Sequence, residues 1–248
     1  TNTNIAEDAN QYHMGDYSRG WSSYTGGDGS RMSYNFKRHA GFDVVTYEGN
    51  GTLGKQIFHN LSKTPEMIWI KNRGETANWI AYHKGLNGGT NPEKYYLRLN
   101  TTDSEIYLPD LGVASNILFN DTAPTSTVVT LGSSGNLNKN GFNHLMILFS
   151  SVDGISKVGS YTGNGYAGNA QNIGFQPRLV LIKNITDSGT GWMLINSVHG
   201  FSKYQFLNSG DPYVTGTYIS PSATGFSFTG GPGIVNENAK NYIYYAHA

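Results

Sequence analysis

Pro65-Glu66-Met67-Ile68-Trp69-Ile70-Lys71-Asn72 returns further along the chain as Pro177-Arg178-Leu179-Val180-Leu181-Ile182-Lys183-Asn184. Each copy is a short, continuous apolar run. A proline stands just ahead of it, where a missing N–H does least harm to a ladder. Such a run bounded by turn formers reads as a central β-strand. Its return, in the same wording, says that the chain repeats itself, which must be settled before any fold is assigned.

Working outward, other blocks return in the same order. Val44-Val45-Thr46-Tyr47-Glu48-Gly49-Asn50-Gly51 matches Val158-Gly159-Ser160-Tyr161-Thr162-Gly163-Asn164-Gly165. Asn78-Trp79-Ile80-Ala81-Tyr82-His83 matches Gly191-Trp192-Met193-Leu194-Ile195-Asn196. Lys94-Tyr95 and Leu99-Asn100 match Lys203-Tyr204 and Leu207-Asn208, and Asn143–Phe149 matches Asn241–His247. The offset narrows along the chain, as small loop deletions in the second copy would produce. Strands are expected at Phe42–Tyr47, Met67–Asn72, Trp79–His83, Tyr95–Leu99, Thr127–Leu131 and Leu145–Phe149, six or seven per copy, with Asn-Gly supplying a tight turn after the first.

The expected architecture is therefore all-β: two tandem antiparallel β-sandwich, jelly-roll-like repeats, at residues 40–152 and 153–248, behind an extended amino-terminal segment. That segment, residues 1–39, reads either as the remnant of a preceding repeat, closing with the strand Met32–Arg38, or as a plain extended linker. The start, Thr1-Asn2-Thr3-Asn4, has no initiator Met and no signal-peptide pattern, which points to a piece of a longer chain or a processed product.

Composition agrees with this reading. The 248 residues include 32 glycines, 17 tyrosines and no cysteine; aromatic residues make up 13% and charged residues 14%. Tyr, Val, Ile, Thr and Phe suit a pleated surface, and Gly and Asn suit turns. The formal net charge is zero, so the basic field of a nucleic-acid binder is missing. The longest apolar runs are too short to span a bilayer. Without cysteine there are no disulfides and no thiolate metal sites.

Phe42–Gly51, His59-Asn60-Leu61, Pro65–Arg73, Asn78-Trp79, Tyr82-His83, Asn120–Thr127 and Gly159–Gly165 together resemble a domain common in proteins of marine tailed phages. The resemblance covers nearly everything after residue 33. It implies a tandem β-sandwich domain of virion-surface or tail-fibre-like proteins, often beside lectin-like domains, and it carries no catalytic or ligand residues with it. The second copy departs from it by lacking the Asn-Asp-Thr-Ala-Pro-Thr stretch.

No motif for chemistry stands out. His13, His39, His59, His83, His144, His199 and His247 show no zinc spacing. Asp103 and Glu105, flanking Ser104, are the nearest thing to a loose calcium site, and no calcium loop is present. No Gly-x-Ser-x-Gly elbow occurs, and the glycine-rich stretches lack the helix and Lys of a phosphate cradle. Glycosidase chemistry needs two carboxylates across a sugar, and Glu48, Glu66, Glu75, Asp103, Glu105, Asp110 and Asp121 have no acidic repeat partners.

Shallow glycan binding is the best fit to a chain rich in aromatics and Asn. Trp79 and Trp192 recur at one place in both copies and read as packing. Trp21 and Tyr24, in the polar amino-terminal segment, and Asn87, Asp103 and Glu105, in loops longer in the first copy, are the candidate glycan-binding residues. The expectation is a non-enzymatic structural protein of a phage virion surface (tail fibre, capsid decoration or appendage) that offers loops to host-surface polysaccharide. It would need no cofactor and no metal. Its partners would be other virion proteins and copies of itself, a trimer by analogy with fibres, with no nucleic acid and no membrane insertion. The rivals are a glycan-degrading tail enzyme and a bacterial carbohydrate-binding adhesin.

Overall fold

A computed structural model describes residues 36–37 and 41–248. The chain folds into two large antiparallel sheets and two small ones. In the first large sheet the order is β1 (Phe42–Glu48), β8 (Asn143–Phe149), β3 (Met67–Asn72), β4 (Ile80–His83), β5 (Tyr95–Arg98) and β6 (Ile106–Tyr107). In the second it is β9 (Ser156–Thr162), β17 (Asn241–His247), β11 (Leu179–Asn184), β12 (Met193–Asn196), β13 (Lys203–Phe206) and β14 (Val214–Thr215). The small sheets are β2 (Lys55–Phe58) with β7 (Val128–Leu131), and β10 (Ala170–Asn172) with β16 (Gly225–Phe228) and β15 (Ile219–Ser222).

Strand for strand, the large sheets share one order, and they share register. Met67 lies opposite Phe149 and His83, and Leu179 opposite His247 and Asn196. Asn72 faces His144 as Asn184 faces Tyr242. The halves hold eight and nine strands rather than the six or seven expected, because β2, β6, β10 and β14 are short and carry no strong apolar alternation. Strand β15 has no counterpart in the first half, where the stretch before β7 turns instead through Asn120 and Asp121, both at positive φ. Of the expected closing strand Met32–Arg38, only Phe36 and Lys37 lie among the described residues, and neither is in a strand. Phe36 stacks on Phe42 with ring centroids 5.0 Å apart.

The central strands are apolar on both faces because both faces are buried. Ile68 and Ile70 of β3 point into a core closed by β2 and β7, with Tyr82, Phe119, Val129 and Leu148. Val180 and Ile182 of β11 point into a second core closed by the other small sheet, with Phe226, Phe228, Tyr242 and Tyr244. The alternate residues form a third core. Met67, Ala81, Leu97 and Phe149 from the first large sheet meet Leu179, Leu181, Trp192, Leu194 and Tyr245 from the second. The two large sheets thus pack face to face, giving four layers: small, large, large, small. Burying each large side chain in this seam contributes about 1.5–3 kcal/mol.

Hydrogen bonds cross the seam as well. Trp192 Nε1 donates to Arg98 O at 3.0 Å, the Glu105 N–H to Ile185 O at 3.0 Å, and the Gly189 N–H to Thr102 O at 2.9 Å. Lys183, fully buried, donates from Nζ to Thr190 O at 2.7 Å. Burial lowers its pKa to about 8, opposed by the charge of Asp103.

One device locks the turn after the first strand in both halves. Asn138 is fully buried. Its Nδ2 donates to Gly132 O and Thr52 O, and its Oδ1 accepts from the Asn50 N–H. Asn236, also fully buried, does the same with Gly230 O, Tyr166 O and the Asn164 N–H. Tyr47 and Tyr161 donate their hydroxyls to Leu137 O and Val235 O. The chains come so close that a Cβ on Gly49 would lie 2.2 Å from Lys139 O, and one on Gly163 2.1 Å from Glu237 O. The recurring Tyr-x-Gly-Asn-Gly is therefore a structural signature, each residue fixed by a contact.

Asp43, fully buried in β1, the outermost strand of its sheet among the described residues, accepts from the Asn60 N–H at 2.8 Å and from the Val44 N–H at 2.9 Å.

Candidate functional site

Trp21 and Tyr24 lie outside the described residues. Asn87 and Glu105 are brought together: the Asn87 N–H donates to Glu105 Oε2 at 2.7 Å. Asn87 sits at φ +50°, and its side chain closes its own turn onto Thr90 O. Burial raises the Glu105 pKa, and the Asn87 N–H opposes that shift. Asp103 stands apart from this pair. It holds Arg98 in an ion pair at 3.0 Å and accepts from the Thr101 hydroxyl. Between them Ser104 is tied to Ser188 of the second half. The loop thus serves the seam, and its two carboxylates already have internal partners. Among the described residues, no three His, Cys, Asp or Glu side chains gather to hold a metal ion.

Other carboxylates are engaged in the same way. Glu75 pairs with Lys139, and Asp187 with Lys240 at 2.9 Å. Ser115 donates its hydroxyl to Asp121.

A cleft of about 420 Å³ opens beside the first large sheet, where the segment leading into β3 meets the end of β4 and the end of β8. Its walls carry Lys63, Pro65, Glu66, Tyr82, Lys84 and Ser150. Lys84 Nζ contacts Glu66 Oε1 at 2.5 Å, and the Ser151 N–H donates to Glu66 Oε2 at 2.5 Å. Burial pushes the Glu66 carboxyl up, but Lys84 and Ser151 more than reverse it, so its pKa lies below the ordinary carboxylate value. Lys63 Nζ reaches Ser151 O at 3.1 Å. Ser150 is 1% exposed, and its Oγ has no hydrogen-bond partner. From the sequence, Glu66 reads only as half of a glycosidase pair, and the lysines carry no motif. The available signal was the polar run Ser62-Lys63-Thr64-Pro65-Glu66, where the second half has Gly174-Phe175-Gln176-Pro177-Arg178.

Next to the cleft, His83 is fully buried in the seam. Its Nε2 contacts Tyr244 O at 3.3 Å and its Nδ1 accepts from the Gly85 N–H at 2.9 Å, so both ring nitrogens are satisfied in the neutral form. Burial lowers its pKa from 6.5 to about 4; the Tyr244 carbonyl and Glu66 oppose that, and Lys84 reinforces it. A folded-state pKa below the unfolded value means that the unfolded chain takes up the proton first. Stability is therefore full above about pH 6.5 and falls as the pH drops toward 4, by about 2 kcal/mol at pH 5. His83→Asn, which installs the residue found at the matching position Asn196, flattens this slope in urea denaturation at pH 5 and 7. An unchanged slope would refute the assignment.

Among the described residues, no helix is long and apolar enough to cross a membrane. A family described as a domain of unknown function (DUF7483) matches residues 3–248. No curated protein and no solved structure matches the chain.

Proposed function

The chain belongs to the DUF7483 family of domains of unknown function, and for it we propose a non-catalytic structural module of a phage virion surface that holds a rigid β-scaffold against host polysaccharide. The observation that carries this reading is the seam. Two six-stranded sheets buried against each other and cross-bonded at Arg98–Trp192, Thr102–Gly189 and Glu105–Ile185 make one stiff body instead of two beads on a linker. The locked turns at Gly49-Asn50-Gly51 and Gly163-Asn164-Gly165 extend that stiffness to the loops. The virion setting rests on the resemblance of the repeat wording to tailed-phage surface domains.

The same proposal takes the halves, 40–152 and 153–248, as copies of one unit, since a single ancestral strand order accounts for both sheets and for both buried asparagines. Assembly with other virion proteins and with further copies of the chain belongs to it too. Binding loops on a rigid scaffold are how such a module acts without chemistry.

Immunogold electron microscopy of particles from the encoding phage, with antibody to the purified protein, tests the reading. Label on the particle surface is expected. Label confined to bacterial envelopes would transfer the protein to the adhesin class. Release of new reducing ends from host polysaccharide by the pure protein would make it an enzyme.

A further inference from the structure

We propose that the chain associates head to tail with further copies of itself. The face of the first large sheet around Trp69, Lys71, Trp79, Leu145 and Ile147 receives the loop 207–211 of another copy, just as the matched face of the second half receives the loop 99–103 of its own chain. The inference gives the self-assembly in the surface-module reading a definite contact, and it rests on that reading's treatment of the halves as copies of one unit.

The two faces match position by position. Trp69 pairs with Ile147 and Lys71 with Leu145 across β3 and β8, as Leu181 pairs with Tyr245 and Lys183 with Ile243 across β11 and β17. Trp79 matches Trp192. In the second half Leu181, Lys183, Trp192, Ile243 and Tyr245 are each 3% exposed or less. In the first half all five counterparts are partly exposed. The strand order and the face are the same, so the difference lies in what covers them. Trp69 and Ile147 also pack against the margin of the seam. The open ground is therefore a continuation of an interface that the chain already makes with a sheet of its own kind.

The polar groups of that interface recur as well. In the second half Trp192 Nε1 donates to Arg98 O at 3.0 Å. Lys183 Nζ donates to Thr190 O and lies 3.5 Å from Thr102 O, within the field of the Asp103 charge. In the first half Lys71 Nζ likewise donates to Ala77 O, at 2.8 Å. Nothing among the described residues takes its remaining N–H groups or the Trp79 indole N–H. A tryptophan among apolar neighbours, with a charged group beside it, is the usual anchor of a protein interface.

The covering loop has a counterpart too. Leu99-Asn100-Thr101-Thr102-Asp103 stands in step with Leu207-Asn208-Ser209-Gly210-Asp211. Both loops are pinned alike: Asn100 Oδ1 accepts from the Trp79 N–H and Asn208 Oδ1 from the Trp192 N–H, each at 2.9 Å. Loop 99–103 is occupied in its own seam. Loop 207–211 is not: Leu207 is 37% exposed, and Gly210 and Asp211 are exposed. Seated on the first-half face of another copy, it would bring Asp211 toward Lys71 as Asp103 lies toward Lys183. The loop and the face are different surfaces, so the contact is heterologous. Such contacts build open stacks, or rings where the rotation closes.

Sedimentation velocity of the full chain over a range of concentrations tests this. Species beyond the dimer are expected as the concentration rises. Asp211→Lys alters an exposed side chain and keeps the fold, and it should weaken association at least tenfold. Trp79→Ala should do the same. The decisive arm mixes these two variants under conditions where each alone is monomeric. Together they should form a one-to-one dimer that grows no further, because one supplies an intact loop and the other an intact face. A chain that stays monomeric at every concentration would give the face to its own residues 1–35 or to a different protein, and would overturn the proposal. A closed dimer indifferent to Asp211→Lys, or variants that fail to complement each other, would overturn it too. None of these failures alters the particle-labelling result, and unlabelled particles with intact head-to-tail association would sink the virion setting alone.

Discussion

Trp192→Ala should remove about 3–5 kcal/mol of stability, the cost of truncating a fully enclosed large aromatic side chain. Trp192 is 2% exposed and stands in the seam between the large sheets. Its loss opens a cavity between the halves and leaves Arg98 O without its Nε1 donor. Trp192→Phe refills most of the volume and loses only that bond, so it should cost far less. Trp79, at the matching place in the first half, is partly exposed, and Trp79→Ala should cost a fraction of the Trp192 effect. Urea denaturation of the three variants checks the order. Equal losses at Trp79 and Trp192 would mean that the seam does not couple the halves.

Asn138→Ala is expected to cost about 2–4 kcal/mol, more than its small loss of volume explains. The substitution leaves the buried Gly132 O unpartnered and withdraws the acceptor from the Asn50 N–H and the donor from Thr52 O. An orphaned buried group pays its full desolvation penalty. Asn138→Asp is the sharper control: a carboxylate still accepts from Asn50 but cannot donate to either carbonyl, so it should be destabilised in the same range. Amide hydrogen exchange at Gly49, Asn50 and Gly51 should speed up in both variants. Protection there at wild-type levels would show that the turn holds without the asparagine. Asn236→Ala should reproduce the effect at Gly163–Gly165.

How much of this was legible in the sequence varies by feature. Met67–Asn72 and Leu179–Asn184 are strands to the residue, because their apolar runs end cleanly at Pro and Asn. The expected Leu145–Phe149 starts two residues late, since the strand that forms is Asn143–Phe149. The expected Trp79–His83 and Tyr95–Leu99 each run one residue longer than the strands that form. That both faces of β3 and β11 are buried follows from their unbroken apolarity; which surface covers the second face does not, since any apolar sheet would serve. The buried asparagines do not stand out in the sequence, because Asn reads by default as a turn former. Their signal was a further matched block, Leu137-Asn138-Lys139-Asn140 against Val235-Asn236-Glu237-Asn238.

The cleft was hidden for another reason. It is assembled from three separate stretches, around residues 63–66, 82–84 and 150–151, and only strand pairing brings them together. Asn87, Asp103 and Glu105 read in the sequence as loop polar residues, and the geometry commits them to fixing that loop.

The carboxylate of Asp43 has a consequence for how the protein behaves at high concentration. The Val44 N–H faces away from β8, along the rim of the sheet, and Asp43 Oδ1 already occupies it. An incoming extended segment would have to displace that anion before it could add to the rim. Inward-turned charges of this kind are how natural sheets resist fibrillar growth. Asp43→Asn keeps an acceptor for only one of the Val44 and Asn60 N–H groups and removes the charge, so it should lower stability as well as shorten the lag before thioflavin-positive aggregates form.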